Sequence, residues 1–260
     1  MTLKLKNKVA LITGASAGIG KAIAETFARE GANLFLCARE IKRLKEVASE
    51  LKKYKVRVET CSADVSNMEA IDNVYKQFIG TYEKLDILVN NAGMHKPSKF
   101  LDYSYEDFDQ VMKVNLYSVV FVTQKMVPLM IKRAEGKVIN ISSTGGKWGT
   151  KNQCAYNTSK HAVNGFTKCL ALDLAEYNIN VNAICPWRVN SKLSDTSLIK
   201  HAEIRGIGVD QLTQEYLMKS PMKKFLNPED VAHLALYLAS EESHMMTGQA
   251  LTISGGYLLI

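Results

Sequence analysis

Short β-branched runs and amphipathic stretches take turns along this chain, and that alternation constrains the fold more than any other feature. Strands are expected over residues 9–13, 34–38, 56–63, 87–90, 137–142, 179–185 and 250–254. Helices are expected over 19–30, 41–53, 68–82, 105–117 running on toward 132, 155–177 and 228–240. Strands separated by helices run parallel, and parallel sheets carry helices on both faces. The expected fold is a doubly wound α/β domain, and with no linker or internal repeat a single one spans residues 1–260. Only residues 190–227 are weakly patterned; they are too long for an ordinary connection, so a substrate lid or insertion with short helices of its own is expected there.

Composition removes several classes. With 47% hydrophobic and 23% charged residues the chain has ample apolar surface to bury, and 16 Gly with 5 Pro exclude a collagen-like chain. The 5 Cys are an odd number without a CxxC pair, so buried structural thiols in a reducing compartment and no metal site are expected. No apolar run reaches the ~18 residues of a membrane span, and the apolar run near the N-terminus is too short for a signal peptide. A cytoplasmic protein off the membrane is expected. The 33 Lys+Arg against 26 Asp+Glu give +7, spread along the chain without a zinc-finger, RRM or basic-zipper pattern, so no nucleic-acid partner is expected.

The segment Thr13-Gly14-Ala15-Ser16-Ala17-Gly18-Ile19-Gly20 lies between the first expected strand and helix. Gly14 permits a tight turn; Gly18 and Gly20 let backbone approach a pyrophosphate and let helix pack on strand. The helix N-terminus then offers free N–H groups to an anion. After the second strand the chain reads Cys37-Ala38-Arg39-Glu40. An NAD site places a carboxylate there for the ribose 2′-hydroxyl; here Ala38 is followed by Arg39, which can pair with a 2′-phosphate, with Lys42 and Arg43 nearby. NADP(H) is favoured, and Glu40, which can engage a free ribose, keeps NAD(H) as the alternative.

Tyr156 and Lys160 stand at i and i+4 on one expected helix and share a face. An ammonium beside a phenol stabilises the phenolate and lowers its pKa toward neutrality, which makes a general acid/base. Ser143, at the end of a strand, offers a hydroxyl to a substrate carbonyl.

Together with Asn90-Asn91-Ala92-Gly93 and Asn115, these motifs resemble the short-chain dehydrogenase/reductase family over essentially the whole chain. Asp64-Val65, the stretch 228–232 and Thr247-Gly248-Gln249 with Gly255-Gly256 extend the likeness. The resemblance implies a Rossmann-type fold with a mostly seven-stranded parallel sheet. It implies that Tyr156 is the proton donor in reduction and the base in oxidation. Lys160 would bind the nicotinamide ribose and lower the tyrosine pKa, Ser143 would orient the carbonyl, and Asn115 would kink its helix and hold a water of a proton relay. Further cofactor contacts are implied at Ser16, Ile19, Asp64, Val65, Asn91, Ala92, Gly93, Pro186, Val189 and Ser191. A homotetramer is implied too, with helices over 102–132 and 155–177 packed on symmetry mates; Val163, Phe166, Leu170, Leu172 and Leu174 make the second unusually apolar.

One departure concerns the pocket. Where the family has Pro-Gly, this chain has Pro186-Trp187, and Ser191 stands where threonine is usual. A tryptophan is strained there if the backbone needs positive φ; otherwise it covers the nicotinamide or narrows the substrate entrance. Candidate substrate contacts are His95, Gly145, Gln153 and Trp187, with Lys96, Lys147, Trp148 and Leu193 beside them. Each competes with a plain rim reading, His95 in particular with an exposed loop histidine. The leading expectation is an NADP(H)-dependent oxidoreductase interconverting a small-molecule ketone and a secondary alcohol. The alternatives are a 3-oxoacyl-carrier-protein reductase and an NAD-dependent hydroxybutyrate-type dehydrogenase, whose usual carboxylate-binding residues are not evident after Ser143. A cofactor-sensing regulator on the same fold is the reading from outside the enzymes.

Overall fold

The computed structural model describes residues 3–260. Seven strands form one parallel sheet in the order β3-β2-β1-β4-β5-β6-β7: β1 Val9–Thr13, β2 Asn33–Ala38, β3 Val58–Ser62, β4 Ile87–Asn90, β5 Gly136–Ile141, β6 Ile179–Pro186 and β7 Ala250–Ile253. Successive strand residues point to opposite faces, and both faces are apolar. Ala10, Ile12, Leu34 and Leu36 join one core with helices α1 (Gly18–Arg29), α2 (Ile41–Leu51) and α9 (Pro228–Ala239). Val9, Leu11 and Phe35 join the other with α3 (Met68–Ile79), α5 (Ser118–Ile131) and α6 (Cys154–Leu174). The sequence of the strands reads as continuous apolar runs because both faces must be covered.

Strand order reverses between β1 and β4, which opens a crevice outside their carboxyl ends. The loops after β1, β4, β5 and β6 meet there. A polar ladder crosses the sheet beneath it: Asn90 Nδ2 donates to Thr123 Oγ1 at 2.8 Å and Asn140 Oδ1 at 2.9 Å, and Asn140 Nδ2 donates to Thr167 Oγ1 at 3.0 Å. Most buried polar groups are hydrogen-bonded, and the bonds made here tie α5, both central strands and α6 in one register.

The helix expected over 105–117 and onward is one helical run with a flaw. It starts as α4 (Tyr105–Met112), widens into a π turn over Lys113–Tyr117 and continues as α5. The run Tyr105–Ile131 is also long and apolar enough to cross a membrane by length and composition. Val119, Val122, Met126 and Met130 are instead buried, and all but Val119 belong to the core beneath the sheet.

Two full helices fill the weakly patterned segment: α7 (Lys192–Arg205) and α8 (Val209–Lys219). All five cysteines are unbridged. Cys37, Cys61 and Cys185 are buried, whereas Cys154 and Cys169 are exposed, so the expectation of buried thiols fails at two positions. On α6, Val163 and Leu174 turn into the chain's own interior; of the five apolar residues named above only Leu172 is fully exposed.

Candidate active site

Two cavities open at the crevice and share Ile19, Ser142, Tyr156, Ser191 and Leu193 in their walls. The larger, about 330 Å³, is a groove lined by Gly14, Ser16, Gly18, Ile19, Ala38, Arg39, Asp64, Val65, Asn91, Ala92, Gly93, Tyr156, Lys160 and Ser191. The smaller, about 170 Å³, is lined by His95, Ser143, Gly145, Gln153, Tyr156, Pro186, Trp187, Arg188, Val189 and Ser191 among others.

The glycine loop builds the first groove. Gly14 has φ +66, the left-handed region that favours glycine. Asn91 holds the loop: its Nδ2 donates to the carbonyls of Thr13 at 2.9 Å and Gly14 at 3.1 Å, while Thr13 Oγ1 accepts from the backbone of Asn91 and Ala92. Helix α1 begins at Gly18 with no side-chain cap and no acid in its first turn. Its first N–H groups and dipole end therefore face the groove uncompensated, the donor set that a pyrophosphate takes. Gly20 does not face the groove; it lies behind it, where a Cβ would press on the Gly14 carbonyl and come 2.5 Å from Asn91 Nδ2. Its role is packing.

At the adenosine end, Arg39 is exposed and its side chain makes no ion pair among the described residues. Glu40 is engaged elsewhere, 3.2 Å from Arg43 Nε. Asp64 accepts from Ser66 N at 3.0 Å and Ser66 Oγ at 2.7 Å.

Ser143, Tyr156 and Lys160 come together where the cavities meet. Ser143 caps the short turn Thr144–Gly146, accepting from Gly145 N at 3.0 Å. That turn lies directly on α6: a Cβ on Gly145 would reach 2.7 Å from Asn157 Oδ1, and one on Gly146 would reach 2.6 Å from the Lys160 carbonyl. Glycine stands after Ser143 because α6 leaves no room for a side chain.

Lys160 is buried, and its Nζ donates to the Ile141 carbonyl at 2.8 Å. Burial pulls its pKa down to about 8. Tyr156 differs from the expectation of a lowered phenol. Burial pushes its pKa above the usual 10, with the Ser143 hydroxyl pulling the other way. The ammonium lies 5.8 Å from the phenol ring centroid and spends a donor on Ile141. Desolvation therefore outweighs it here.

Asn115 lies behind the catalytic face, fully buried in the π turn. Its Oδ1 accepts from Met94 N at 2.8 Å, and its Nδ2 donates to Met94 O at 2.9 Å and Ser159 Oγ at 3.1 Å. It thus locks the loop after β4 to α6. π turns of this kind concentrate at functional sites.

In the smaller cavity, the His95 ring packs at a tilt of 39° against Tyr156 with ring centroids 4.2 Å apart, so it is no free loop residue. Its Nε2 is buried without a partner. Burial, then the charges of His201 and Arg188, push its pKa to about 3. His201, on α7, sits 5.8 Å away, with Nε2 2.9 Å from Gln153 Nε2. Trp187 is not strained: it is absent from the positive-φ residues, its N–H donates to Ile253 O at 2.9 Å, and its ring stacks on Tyr257 at 4.6 Å. Pro186 and Val189 line this smaller cavity rather than the groove. Lys96 pairs with Asp107, Lys147 bonds Thr252 and Ile260, and Trp148 is exposed outside both cavities. Sequence reading passed over Arg188 and Tyr216, which only the fold brings to this wall, and His201, which stands behind it against His95 and Gln153.

Known proteins match this chain end to end. The family model described as short chain dehydrogenase covers residues 8–201. The 3-oxoacyl-[acyl-carrier-protein] reductase FabG of Aquifex aeolicus is 36% identical, over 98% of this chain and 99% of its own. The D-beta-hydroxybutyrate dehydrogenase of Rhizobium meliloti is also 36% identical, over 96% and 98%. A crystal structure of an actinorhodin polyketide ketoreductase with NADPH superposes with a TM-score of 0.93 at 33% identity, covering 96% of this chain and 97% of that one. With the parallel sheet, the glycine loop at its switch point and the matched span of 8–201, the chain belongs to the short-chain dehydrogenase/reductase family of NAD(P)-binding oxidoreductases that act on CH–OH groups.

Proposed function

We propose that this chain interconverts a small-molecule ketone and its secondary alcohol with NADP(H), and that Tyr156 is the general acid and base. The observation that carries the reading is Tyr156 standing in the shared wall of two cavities, a dinucleotide-shaped groove and a smaller polar chamber. The uncapped N-terminus of α1 would hold the pyrophosphate. Arg39 would take the 2′-phosphate, and the Glu40–Arg43 pair withdraws the carboxylate that would favour a free ribose. Pairing of Val189 with Leu226 engages the backbone of Arg188 and Asn190, so the N–H and C=O of Val189 face away, toward the chamber. They suit a carboxamide.

When bound, the nicotinamide supplies the hydride in reduction and accepts it in oxidation. The chain supplies the rest. The hydroxyls of Ser143 and Tyr156 hold the carbonyl oxygen. Tyr156 Oη gives that oxygen its proton as the carbon is reduced, and takes one back in oxidation. A phenol held above 10 is fully protonated at neutral pH and ready to donate. The phenolate left behind is stabilised by Lys160, one turn along the same helix. Asn115, fixed in its π turn, marks where a water would continue the relay.

Two relatives at the same 36% identity carry different names, a 3-oxoacyl-carrier-protein reductase and a hydroxybutyrate dehydrogenase. Both remain the alternative substrates. Salt-sensitive turnover of carrier-bound thioesters would favour the first. A homotetramer is part of the proposal, supported by the large apolar side chains Tyr105, Tyr117 and Leu172 that the chain leaves exposed on the run Tyr105–Ile131 and on α6. Five unbridged cysteines, two exposed, support a reducing, cytoplasmic compartment.

The test is kinetic and binding together. Tyr156→Phe should lower kcat by roughly 10²–10⁴-fold while NADPH binding persists. Arg39→Asp should weaken NADPH by about tenfold to a hundredfold and leave NADH unharmed. A Phe variant at full rate sinks the acid/base role; unchanged NADPH affinity in the Asp variant sinks the 2′-phosphate role.

A further inference from the structure

Arg188 stands out among the arginines of this chain. Arg43, Arg57, Arg133 and Arg205 each lie within 4.0 Å of a carboxylate on the surface. Arg188 is half-buried in the wall of the smaller cavity and makes no ion pair among the described residues. Its guanidinium lies 4.9 Å from the ring centre of Tyr216 and 5.6 Å from that of Phe225. These rings pack on the guanidinium and attract its charge without neutralising it. Of its five donors, one is used in the fold: Nη2 donates to Ser194 O at 2.9 Å. Neither Nε nor Nη1 is among the buried polar atoms left without partners, so both are accessible, on a residue that lines the cavity.

The rest of that wall contains no acid; the carboxylate whose charge reaches Arg188, Asp195 at the start of α7, is exposed outside the wall and forms no ion pair with it. Its polar members are serines, threonines, tyrosines, Gln153 and His95. The two histidines add no charge at neutral pH: burial first and Arg188 after it hold His201 near 4, and His95 stays near 3. A cation withdrawn from water normally has a partner. Here a half-buried one lines the chamber that the reading above gives to the substrate.

We infer that Arg188 anchors a substrate carboxylate, so that the natural substrates are small oxo acids and the matching hydroxy acids. This rests on the oxidoreductase reading above and sharpens it. A planar guanidinium with free donors takes a carboxylate in two parallel hydrogen bonds. The unpartnered Nε2 of His95, whose ring packs against Tyr156, is a second polar contact close to the reacting carbonyl. The chamber of about 170 Å³ admits a molecule of few atoms. Positions 145 and 146 hold no carboxylate ligand because a Cβ there would press on α6; the anchor comes from the loop after β6 instead.

The experiment uses the full-length enzyme with NADPH. 2-Oxobutanoate, 3-oxobutanoate and 4-oxopentanoate are compared with their methyl esters, with dihydroxyacetone phosphate as the phosphate-bearing arm. Wild type should prefer at least one acid over its ester by about a hundredfold in kcat/KM. Arg188→Met, which keeps the packing on Tyr216 and Phe225, should lose that preference, mainly through KM, with ester turnover kept. Arg188→Lys, which keeps the charge without the fork, should fall between. Thermal melting of each variant reads the structural contribution of the Ser194 contact separately. Esters reduced as well as acids, or a loss in Arg188→Met that strikes both alike, overturns the anchor and leaves the oxidoreductase reading standing. Preference for the phosphate overturns the carboxylate. No turnover of any carbonyl by NADPH-loaded wild type overturns both.

Discussion

Lys160 places a cost on the fold that pH can reveal. Its amine is buried, and burial holds its pKa near 8 against an ordinary 10.5. Here the folded pKa is the lower one, so between about 8 and 10.5 the unfolded chain binds more protons than the folded one. Stability from this group therefore rises with pH through that window and is absent below it. At pH 7 the buried ammonium costs about 3 kcal/mol. Lys160→Met should accordingly gain on wild type at pH 7 and lose the gain as pH rises. In urea unfolding, the difference between the two proteins should shift by about 2–3 kcal/mol toward wild type between pH 7 and 10. A difference independent of pH would mean that the amine is not desolvated. The same site shows that a residue pair on a helix does not determine its electrostatics. Spacing put Tyr156 and Lys160 on one face, but the direction of the tyrosine shift depends on how much water the fold leaves at the phenol, and on Ile141 taking a donor from the amine.

Helix α1 is where the phosphate groove and the core meet, and Gly20 separates the two demands. Its backbone is ordinary helix, so propensity alone would make Gly20→Ala stabilising by up to about 1 kcal/mol. The added Cβ would lie 2.5 Å from Asn91 Nδ2 and 2.9 Å from Gly14 C. Overpacking against backbone wins, so the variant should lose about 1–3 kcal/mol and weaken NADPH as the loop is pushed open. A variant more stable than wild type in thermal melting would show that the loop yields freely. Elements of this kind were legible: β1 and β4 lie at the expected bounds, because strands buried on both faces are uninterrupted apolar runs. The helix α7 was not. Its buried residues are Ser197, Leu198, His201 and Ala202, half of them polar, so no apolar stripe announces it. The π turn at Lys113–Tyr117 was equally hidden: one extra residue per turn leaves the apolar pattern on either side intact. His201 and Arg188 went unseen as site residues for the same reason. The one is on a helix without a stripe, and the other is a loop residue distinguished only by the ion pair that it does not form in the fold.

Over the whole molecule, the apolar surface left outside the two cores calls for a partner. Leu172 on α6 is 81% exposed, Tyr105 79% and Tyr117 44%, and Phe166 is half-buried outside either core. A monomer scatters such residues singly; here Tyr105 and Tyr117 belong to one helical run and Phe166 and Leu172 to the helix α6. Packing on symmetry mates would bury them, and a closed assembly built from two such two-fold contacts has four chains. The expected sedimentation mass at micromolar concentration is thus about four times the 28.9 kDa of the chain. Two-fold symmetry makes the interface easy to break. A residue near the axis meets its own copy, so one substitution introduces two like charges at once. Phe166→Glu should halve the mass, while each chain keeps its NADPH affinity, because Phe166 is not among the residues that line the groove. Wild type that sediments as one chain, or a Glu variant that keeps the full mass, would leave this face without the proposed role.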